Sequence, residues 1–240
     1  MSTLVDLLPQ EIPSAVRESP VVTAWPEESS SRLEPWSLES FAREQIHALA
    51  RQLFTGSASL RQVTFSAVDA ETEVLPICLQ LGEALALHDS GIVCVVEAFP
   101  RGHGEQVVSE QGPGVSSPPK HAETLRQQSE QLSRGLWFMP ANVFRGSHQG
   151  LSLVWLRARL AELRLEFDYT VLEGPPAGQG EAAVLGGLSD GLVLVLQANV
   201  TRRVTAQRVK EKLGSTKTRL LGTVLTGRTF PIPEGLYRRL

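Results

Sequence analysis

The chain of 240 residues is 42% hydrophobic and 20% charged, with a formal net charge of −3, so it can form one α/β domain with a sizeable core. No apolar run reaches the roughly 18 residues that span a bilayer, and the start lacks the features of a secretory signal. We therefore expect neither an integral membrane protein nor a secreted one. We expect a cytoplasmic protein that reaches the inner face of the membrane only through a partner.

Charge is distributed unevenly along the chain. Residues 1–35 contain six acidic residues and two arginines, whereas residues 201–240 contain ten basic residues and two glutamates. A basic face in this last part could meet an anionic partner. A solvated helix face followed by a tail explains the same charges, and we favour that interpretation. The basic residues lack the interleaved aromatic side chains of a single-strand binder, so we expect no nucleic acid.

The pattern along the chain predicts three regions. Residues 1–35 are rich in Pro, Ser and Glu without a sustained period, which predicts a disordered or loosely docked arm. Residues 36–230 alternate helical and strand patterns, and residues 231–240 form a tail. The predicted helices are 37–54, 74–88, 151–166, 181–189 and 201–214, and the predicted strands are 61–67, 92–97, 135–140, 167–176, 190–198 and 218–227. Residues 101–134 are polar and rich in Gly, Ser and Pro, which predicts a mobile loop ending in a short helix.

The strands are nearly continuous runs of Val, Ile and Leu, and helices follow them. This alternation predicts an α/β fold with a mostly parallel central sheet and helices on both faces. Ligands of such sheets bind at the carboxyl ends of the strands, so the functional residues are expected directly after each strand. Cys78 and Cys94 lie in apolar runs, and we expect two buried, reduced thiols.

Five segments carry a resemblance. FDYTVLEGPP (167–176) is similar to FDYVIIDTPP, and SDGLVLVLQANVTRR (189–203) is similar to DGVVLVVRAG followed by TRR. Three more segments match in the same order. CVVEAFPR is similar to LLIDADLR, LWFMPA is similar to LxxLPAG, and RLLGTVLTGRTFPIPEGLYRRL is similar to a last strand with its tail. From about residue 37 to the end the chain resembles the P-loop tyrosine kinases of bacterial capsule and exopolysaccharide synthesis, of the CpsD, CapB and Wzc type. The resemblance implies a P-loop NTPase-like fold.

The chain departs from that family in the loop after the first strand. The residues in the position of the phosphate loop are Ser66, Ala67, Asp69, Glu71, Thr72, Glu73 and Val74. The family has SAxPGEGKST there, with glycines whose N–H groups cradle phosphate, a lysine, and a hydroxyl that holds Mg²⁺. Here the loop reads SAVDAETEVLP. Each acid within ~4 Å of a phosphate would cost about 4 kcal/mol at an effective dielectric near 20.

The acidic loop residues Asp69, Glu71 and Glu73 admit three interpretations. We favour a solvated helix N-terminus, because acidic side chains suit the positive end of the helix dipole. They could instead form a surface for a basic partner, or a reworked cation site.

The resemblance assigns roles to a few further residues. Glu97 and Glu173 stand where the family has the aspartates of its second acidic strand and its Walker B strand, and glutamate can still hold Mg²⁺. Of the family's ring-assembly motif ExxRxxR, only Glu44 remains, with His47 and Ala50 at the arginine positions. Self-association therefore stays open. The tail has one tyrosine, Tyr237, as a candidate phosphoacceptor.

Three other patterns are weaker. AGQGEAA (177–183) matches the dinucleotide pattern GxGxxA, but two prolines precede it and no acid follows at the right distance, so we favour a flexible loop. Glu97 and Glu173 could form a general acid–base pair, although no nucleophile or histidine is expected beside them. The five histidines are scattered without metal-ligand spacing, so no confident metal site is predicted.

These observations predict a catalytically degenerate, tyrosine-kinase-like protein that acts as an interaction or regulatory component of exopolysaccharide synthesis. We expect no cofactor, and Mg-ATP only if the loop is functional. The resemblance implies a membrane-anchored co-polymerase or chain-length protein as the partner. The first alternative is an active autokinase that uses Glu97 and Glu173 for Mg²⁺ and Tyr237 as acceptor. The second alternative is a relative of the MinD and ParA ATPases.

Overall fold

The computed structural model describes residues 38–55, 60–88, 91–99, 124–146, 152–216 and 218–227. The predicted arm at 1–35 and the tail at 231–240 lie outside these residues, as does Tyr237. The strands are β1 (Gln62–Ala67), β2 (Val93–Glu97), β3 (Glu130–Ser133), β4 (Leu136–Met139), β5 (Tyr169–Glu173), β6 (Leu192–Gln197) and β7 (Leu220–Thr226). The helices are α1 (Leu38–Ala50), α2 (Leu75–His88), α3 (Leu125–Gln128), α4 (Ala141–Arg145), α5 (Leu153–Glu166), α6 (Gly180–Leu188) and α7 (Arg203–Gly214). A π-helical turn, Arg51–Thr55, extends α1.

The strands form one sheet in the order β3-β4-β2-β5-β1-β6-β7. Every neighbouring pair is parallel except β3 and β4, which are antiparallel. The predicted mostly parallel α/β fold is therefore confirmed, and the predicted elements agree with the observed ones to within a few residues. Strand β3 and helix α4 were not predicted. Strand β3 is polar and exposed along its whole length, so it carries no hydrophobic alternation that would mark it in the sequence.

Successive strand residues face opposite layers of helix. On β2, Val93 and Val95 pack in the cluster that contains α1 and α2, whereas Cys94 and Val96 pack in the cluster that contains α5. A third cluster joins α6 and α7 to β6. Period-two alternation with both faces apolar explains why the strands read as continuous hydrophobic runs. Cys78 and Cys94 are both fully buried thiols, as expected, and burial raises the pKa of the Cys94 thiol well above its ordinary range.

Hydrogen bonds to one carboxylate connect three elements at the amino end of the sheet. Asp190, just before β6, accepts hydrogen bonds from the backbone N–H groups of Arg61 (2.7 Å) and Gln62 (2.8 Å) at the start of β1. The guanidinium of Arg164 on α5 donates to the same carboxylate at 2.5 Å. We call Arg61, Gln62, Arg164 and Asp190 the amino-edge network. It ties β1, α5 and the start of β6 together.

Candidate functional site

The expected site lies at the opposite, carboxyl edge of the sheet. Strand β1 is central, with β5 on one side and β6 on the other. The turn from β1 to α2 therefore lies between the end of β5, at Glu173, and the end of β6, at Gln197. Next to β5, the last residue of β2 is Glu97, which is in register with Glu173. The fold thus brings the candidate loop and both candidate acids to one edge, as the sequence predicted.

The β1–α2 turn has a buried side and an exposed side. Val68, Thr72 and Val74 are buried, with 7%, 1% and 0% of their surface exposed. Glu71 and Glu73 are exposed and Asp69 is half-buried. The N–H of Thr72 donates to the carbonyl of Asp69 at 3.2 Å, which closes a tight turn. Of the three predicted acids, two therefore face solvent, and Asp69 does not share their environment.

Side chains join this turn to the end of β6. The Thr201 hydroxyl donates to the Asp69 carboxylate, and the same hydroxyl accepts from the N–H of Gln197 at 2.9 Å. The Thr72 hydroxyl donates to the side-chain oxygen of Gln197 at 3.2 Å. We call Asp69, Thr72, Gln197 and Thr201 the carboxyl-edge network. It fixes the turn through two of its polar side chains, Asp69 and Thr72.

Sequence reasoning missed Gln197 and Thr201 as members of the site. Gln197 is the last residue of β6, and Thr201 lies in the segment that follows β6, where functional residues were expected. Their contacts depend on a tight turn in which Asn199 has a φ of +62°, a left-handed conformation that asparagine tolerates better than most residues. The asparagine directly after a buried strand is the signal that could have predicted such a turn.

The two candidate acids differ in environment. The Glu97 carboxylate is half-buried and accepts a hydrogen bond from the N–H of Ala141, the first residue of α4, at 3.2 Å. Glu173 is 1% exposed. The residue after it, Gly174, lies so close to β1 that an added Cβ would stand 2.6 Å from the Ser66 hydroxyl oxygen. Within the described residues, that buried Ser66 hydroxyl has no hydrogen-bond partner.

The position of the family lysine falls on Glu73 or on Val74, and the environments of these two residues differ. Glu73 is exposed and acidic, and Val74 is fully buried in the core under α2. Ala67, the last residue of β1, accepts a hydrogen bond from the N–H of Ala177 at 2.7 Å. In the part of the chain that the structure describes, no group of three or more His, Cys, Asp or Glu residues could hold a metal ion.

One interpretation from the sequence is corrected. The five histidines are scattered along the sequence, yet His47 and His88 meet in the fold, with Nδ1 of the first 2.9 Å from Nε2 of the second. They are 41 residues apart in the chain, and α1 and α2 bring them together by packing side by side. Because the two residues lie on different helices, ligand spacing along one element does not mark this pair.

The sheet order and the loop between a central strand and its helix define an α/β domain with a P-loop NTPase-like fold. The kinase domain of VpsO superposes with a TM-score of 0.59 at 20% identity, covering 80% of this chain and 98% of that one. The cell division protein MinD of Aquifex aeolicus superposes with a TM-score of 0.50 at 15% identity, covering 75% of this chain and 72% of that one. These likenesses confirm the predicted fold.

In sequence, the chain is similar to bacterial tyrosine kinases. It is 32% identical to the tyrosine-protein kinase YwqD of Bacillus subtilis over 79 residues, which are 32% of this chain and 33% of the relative. It is 35% identical to the tyrosine-protein kinase CpsD of Streptococcus agalactiae over 60 residues, which are 25% of this chain and 26% of the relative. The matched segments thus span a third or less of these relatives. No protein-family model matches the chain.

The resemblance to bacterial tyrosine kinases that the sequence predicted is confirmed by these relatives and by the kinase domain that shares the fold. Separately, none of the helices that the structure describes is long and apolar enough to cross a membrane.

Proposed function

We propose that this chain is a tyrosine-kinase-like P-loop protein of exopolysaccharide or capsule synthesis that acts through interaction or regulation rather than phosphoryl transfer. The observation that carries the proposal is the carboxyl-edge network. The turn that would have to cradle phosphate is instead held by Asp69 and Thr72 against the end of β6. The similarity to two bacterial tyrosine kinases supports the pathway.

The side chain of Thr72 argues against a phosphate cradle. It falls at the second loop glycine in the resemblance, where the backbone must approach phosphate closely. Here a threonine side chain fills the position, is buried, and hydrogen-bonds to Gln197. Opening this turn for a polyphosphate would break that bond, whose net contribution to stability is about 1 kcal/mol.

Electrostatics act in the same direction. Phosphoryl transfer needs a lysine and Mg²⁺ to neutralise charge that develops on the transferred group. The turn contributes Asp69, Glu71 and Glu73 and no cation. The Glu97 carboxylate is engaged by the N–H of Ala141. Both features support a protein without a bound cofactor, which would take Mg-ATP only if the turn rearranged.

A non-catalytic role requires a partner. The resemblance points to a membrane-anchored co-polymerase or chain-length protein, which would hold this chain at the inner face of the membrane. The resemblance implies that catalytic proteins of this fold act with a partner of this kind in the same pathway. A chain that has lost the chemistry can therefore keep both the fold and the partner. Self-association remains a second form of the same role.

The adjacent acids favour one alternative, an atypical autokinase. Glu97 and Glu173 are registered neighbours on parallel strands, which places two carboxylates at one edge. In this alternative they hold Mg²⁺, and Tyr237 accepts the phosphoryl group. A MinD- or ParA-like ATPase would share the fold and would also need a phosphate-binding loop.

A phosphotransfer assay separates the proposal from the autokinase. Purified full chain is incubated with Mg²⁺ and radiolabelled ATP, alone and with membranes that contain the candidate partner, and tyrosine phosphorylation is measured. We expect no label on the wild type. Label that disappears in Tyr237→Phe would establish the autokinase with its acceptor, and label that persists in that variant would establish a kinase with another acceptor.

A cellular experiment tests the non-catalytic role itself. Deletion of the chain is compared with Glu97→Gln, which removes the charge at the candidate metal position but keeps an acceptor for the N–H of Ala141. We expect deletion to lower polysaccharide output and Glu97→Gln to leave it at the wild-type level. Equal loss in both strains would contradict the proposal.

A further inference from the structure

The contact between His47 and His88 is the strongest unassigned feature outside the carboxyl edge. Nδ1 of His47 on α1 lies 2.9 Å from Nε2 of His88, the last residue of α2. The ring planes are nearly perpendicular, at 88°, with centroids 4.8 Å apart. His47 is half-buried and His88 is exposed, so solvent reaches the pair.

The two helices hold this pair in place. Ala50 lies one helical turn after His47 on α1 and is 1% exposed. Leu85 lies one helical turn before His88 on α2 and is 2% exposed. Both belong to the same hydrophobic cluster, which also contains Leu81 and the β1 residue Phe65. The backbones that carry the two imidazoles are thus fixed by the core, while the rings themselves can turn. Two ligands held in this way lose little freedom when they bind a third atom.

We propose that His47 and His88 form a binding site for a borderline divalent transition metal ion, with Zn²⁺ as the reference ion, that bridges α1 and α2. Imidazole nitrogens bind zinc at about 2.0–2.1 Å, and a tetrahedral angle between two such bonds places the nitrogens about 3.3 Å apart. The observed separation of 2.9 Å is within a few tenths of an ångström of that value. The imidazole that donates in their mutual hydrogen bond moves its proton to its other ring nitrogen, so that both facing nitrogens carry lone pairs. Small rotations of the two rings then aim both lone pairs at one ion.

The chemistry of the donors selects the ion. Imidazole suits zinc, nickel and copper, whereas magnesium and calcium require oxygen ligands. Water would complete the coordination shell, since no described cluster supplies three protein ligands. The site therefore depends on the chelate made by two histidines. The loss of either histidine leaves a single imidazole, and the affinity is expected to fall at least tenfold.

Metal binding here would act on the fold. His47 stands at an arginine position of the ring-assembly motif in the resemblance, so a metal ion would join α1 to α2 at the surface where that motif lies. An ion that binds the folded chain and not the unfolded one raises the melting temperature. At a hundredfold excess over the dissociation constant, the expected rise is about 5–10 °C for a domain of this size.

The test is a zinc titration of the full chain, followed by thermal unfolding and by isothermal titration calorimetry. The variants are His47→Gln and His88→Gln, and the matched control is His148→Gln, which removes a histidine that is outside the pair. We expect wild type and His148→Gln to bind one zinc ion and to show the same rise in melting temperature. Each pair variant should lose that rise and bind at least tenfold more weakly.

Calorimetry of the folded chain guards against binding to unfolded thiols, because Cys78 and Cys94 are buried until the chain unfolds. Circular dichroism at low temperature verifies that each variant is folded. Zinc affinity that is unchanged in both pair variants, or no binding at millimolar zinc by the wild type, would overturn the proposal and leave a simple hydrogen bond between two histidines.

Discussion

The two edges of the sheet are closed by different chemistry. At the amino edge, one carboxylate accepts two backbone N–H groups of β1 and a guanidinium of α5. At the carboxyl edge, the bonds of the network join side chains of two turns, with one backbone N–H from Gln197. The amino-edge network therefore fixes the start of a central strand, and the carboxyl-edge network fixes only a turn. We therefore expect the amino-edge network to contribute more to the free energy of unfolding, whereas any phosphate site would depend on the carboxyl-edge network.

The largest expected effect is at the amino edge. Asp190→Ala removes the acceptor of the N–H groups of Arg61 and Gln62 and leaves the Arg164 guanidinium without its carboxylate. Because Gln62 is 1% exposed, its N–H would be buried without a partner. We expect the free energy of unfolding to fall by about 3 kcal/mol, measured by denaturant titration. A loss below about 1 kcal/mol would contradict the assigned role of this edge.

The next effect is steric and lies at the carboxyl edge. In Gly174→Ala, the new Cβ would lie 2.6 Å from the Ser66 Oγ and 2.9 Å from the Thr64 Cγ2. We expect a loss of about 2 kcal/mol in unfolding free energy, since overpacking of this kind forces a backbone shift. Gly178→Ala is the matched control, because nothing lies within 4 Å of its Cβ position. Similar losses in both variants would show that the close approach of β5 to β1 is not the cause.

A smaller effect is expected from the carboxyl-edge network. Thr72→Val keeps the shape of the side chain and removes the hydroxyl that donates to Gln197. The unfolding free energy should fall by about 1 kcal/mol. In the control Glu71→Ala, an exposed side chain is removed, and a change within about 0.5 kcal/mol is expected. A neutral Thr72→Val variant would mean that the bond from Thr72 to Gln197 does not stabilise the turn.

The smallest effect is a dependence on pH at the amino edge. Burial of Asp190 opposes ionisation, but the N–H groups of Gln62 and Arg61 and the Arg164 guanidinium outweigh it, and the pKa of the carboxyl is lowered from its ordinary 3.8. A lowered pKa in the folded state means that the stabilisation is present above about pH 4 and is lost as the pH falls below it. Because the carboxyl is partly exposed, this contribution stays below about 1 kcal/mol.

The measurement is acid unfolding of the wild type and of Asp190→Asn between about pH 6 and pH 3. Asparagine does not titrate, so the difference in stability between the two proteins should narrow as the pH falls. A constant difference across this range would show that the charge of Asp190 does not stabilise the folded state.

The comparison of the two edges also explains what the sequence predicted. Strands such as β2 and β6 are continuous apolar runs, so their positions, their parallel direction and the edge at which Glu97 and Glu173 lie all followed from the pattern. The contacts of Thr72 with Gln197, and of His47 with His88, join residues 125 and 41 positions apart. Such pairs are set by the packing of whole elements, and no local pattern carries them.

The central claim is that the β1–α2 turn does not bind nucleotide, and isothermal titration with Mg-ATP and Mg-ADP tests it most directly. The positive control rebuilds the turn as SAVPGEGKST with the substitutions Asp69→Pro, Ala70→Gly, Thr72→Gly, Glu73→Lys, Val74→Ser and Leu75→Thr. A second control carries the same changes but keeps Glu73. We predict no binding by the wild type up to about millimolar nucleotide, micromolar binding by the rebuilt chain, and at least a tenfold loss without the lysine. Micromolar binding of Mg-ATP by the wild type would contradict the account and favour the autokinase.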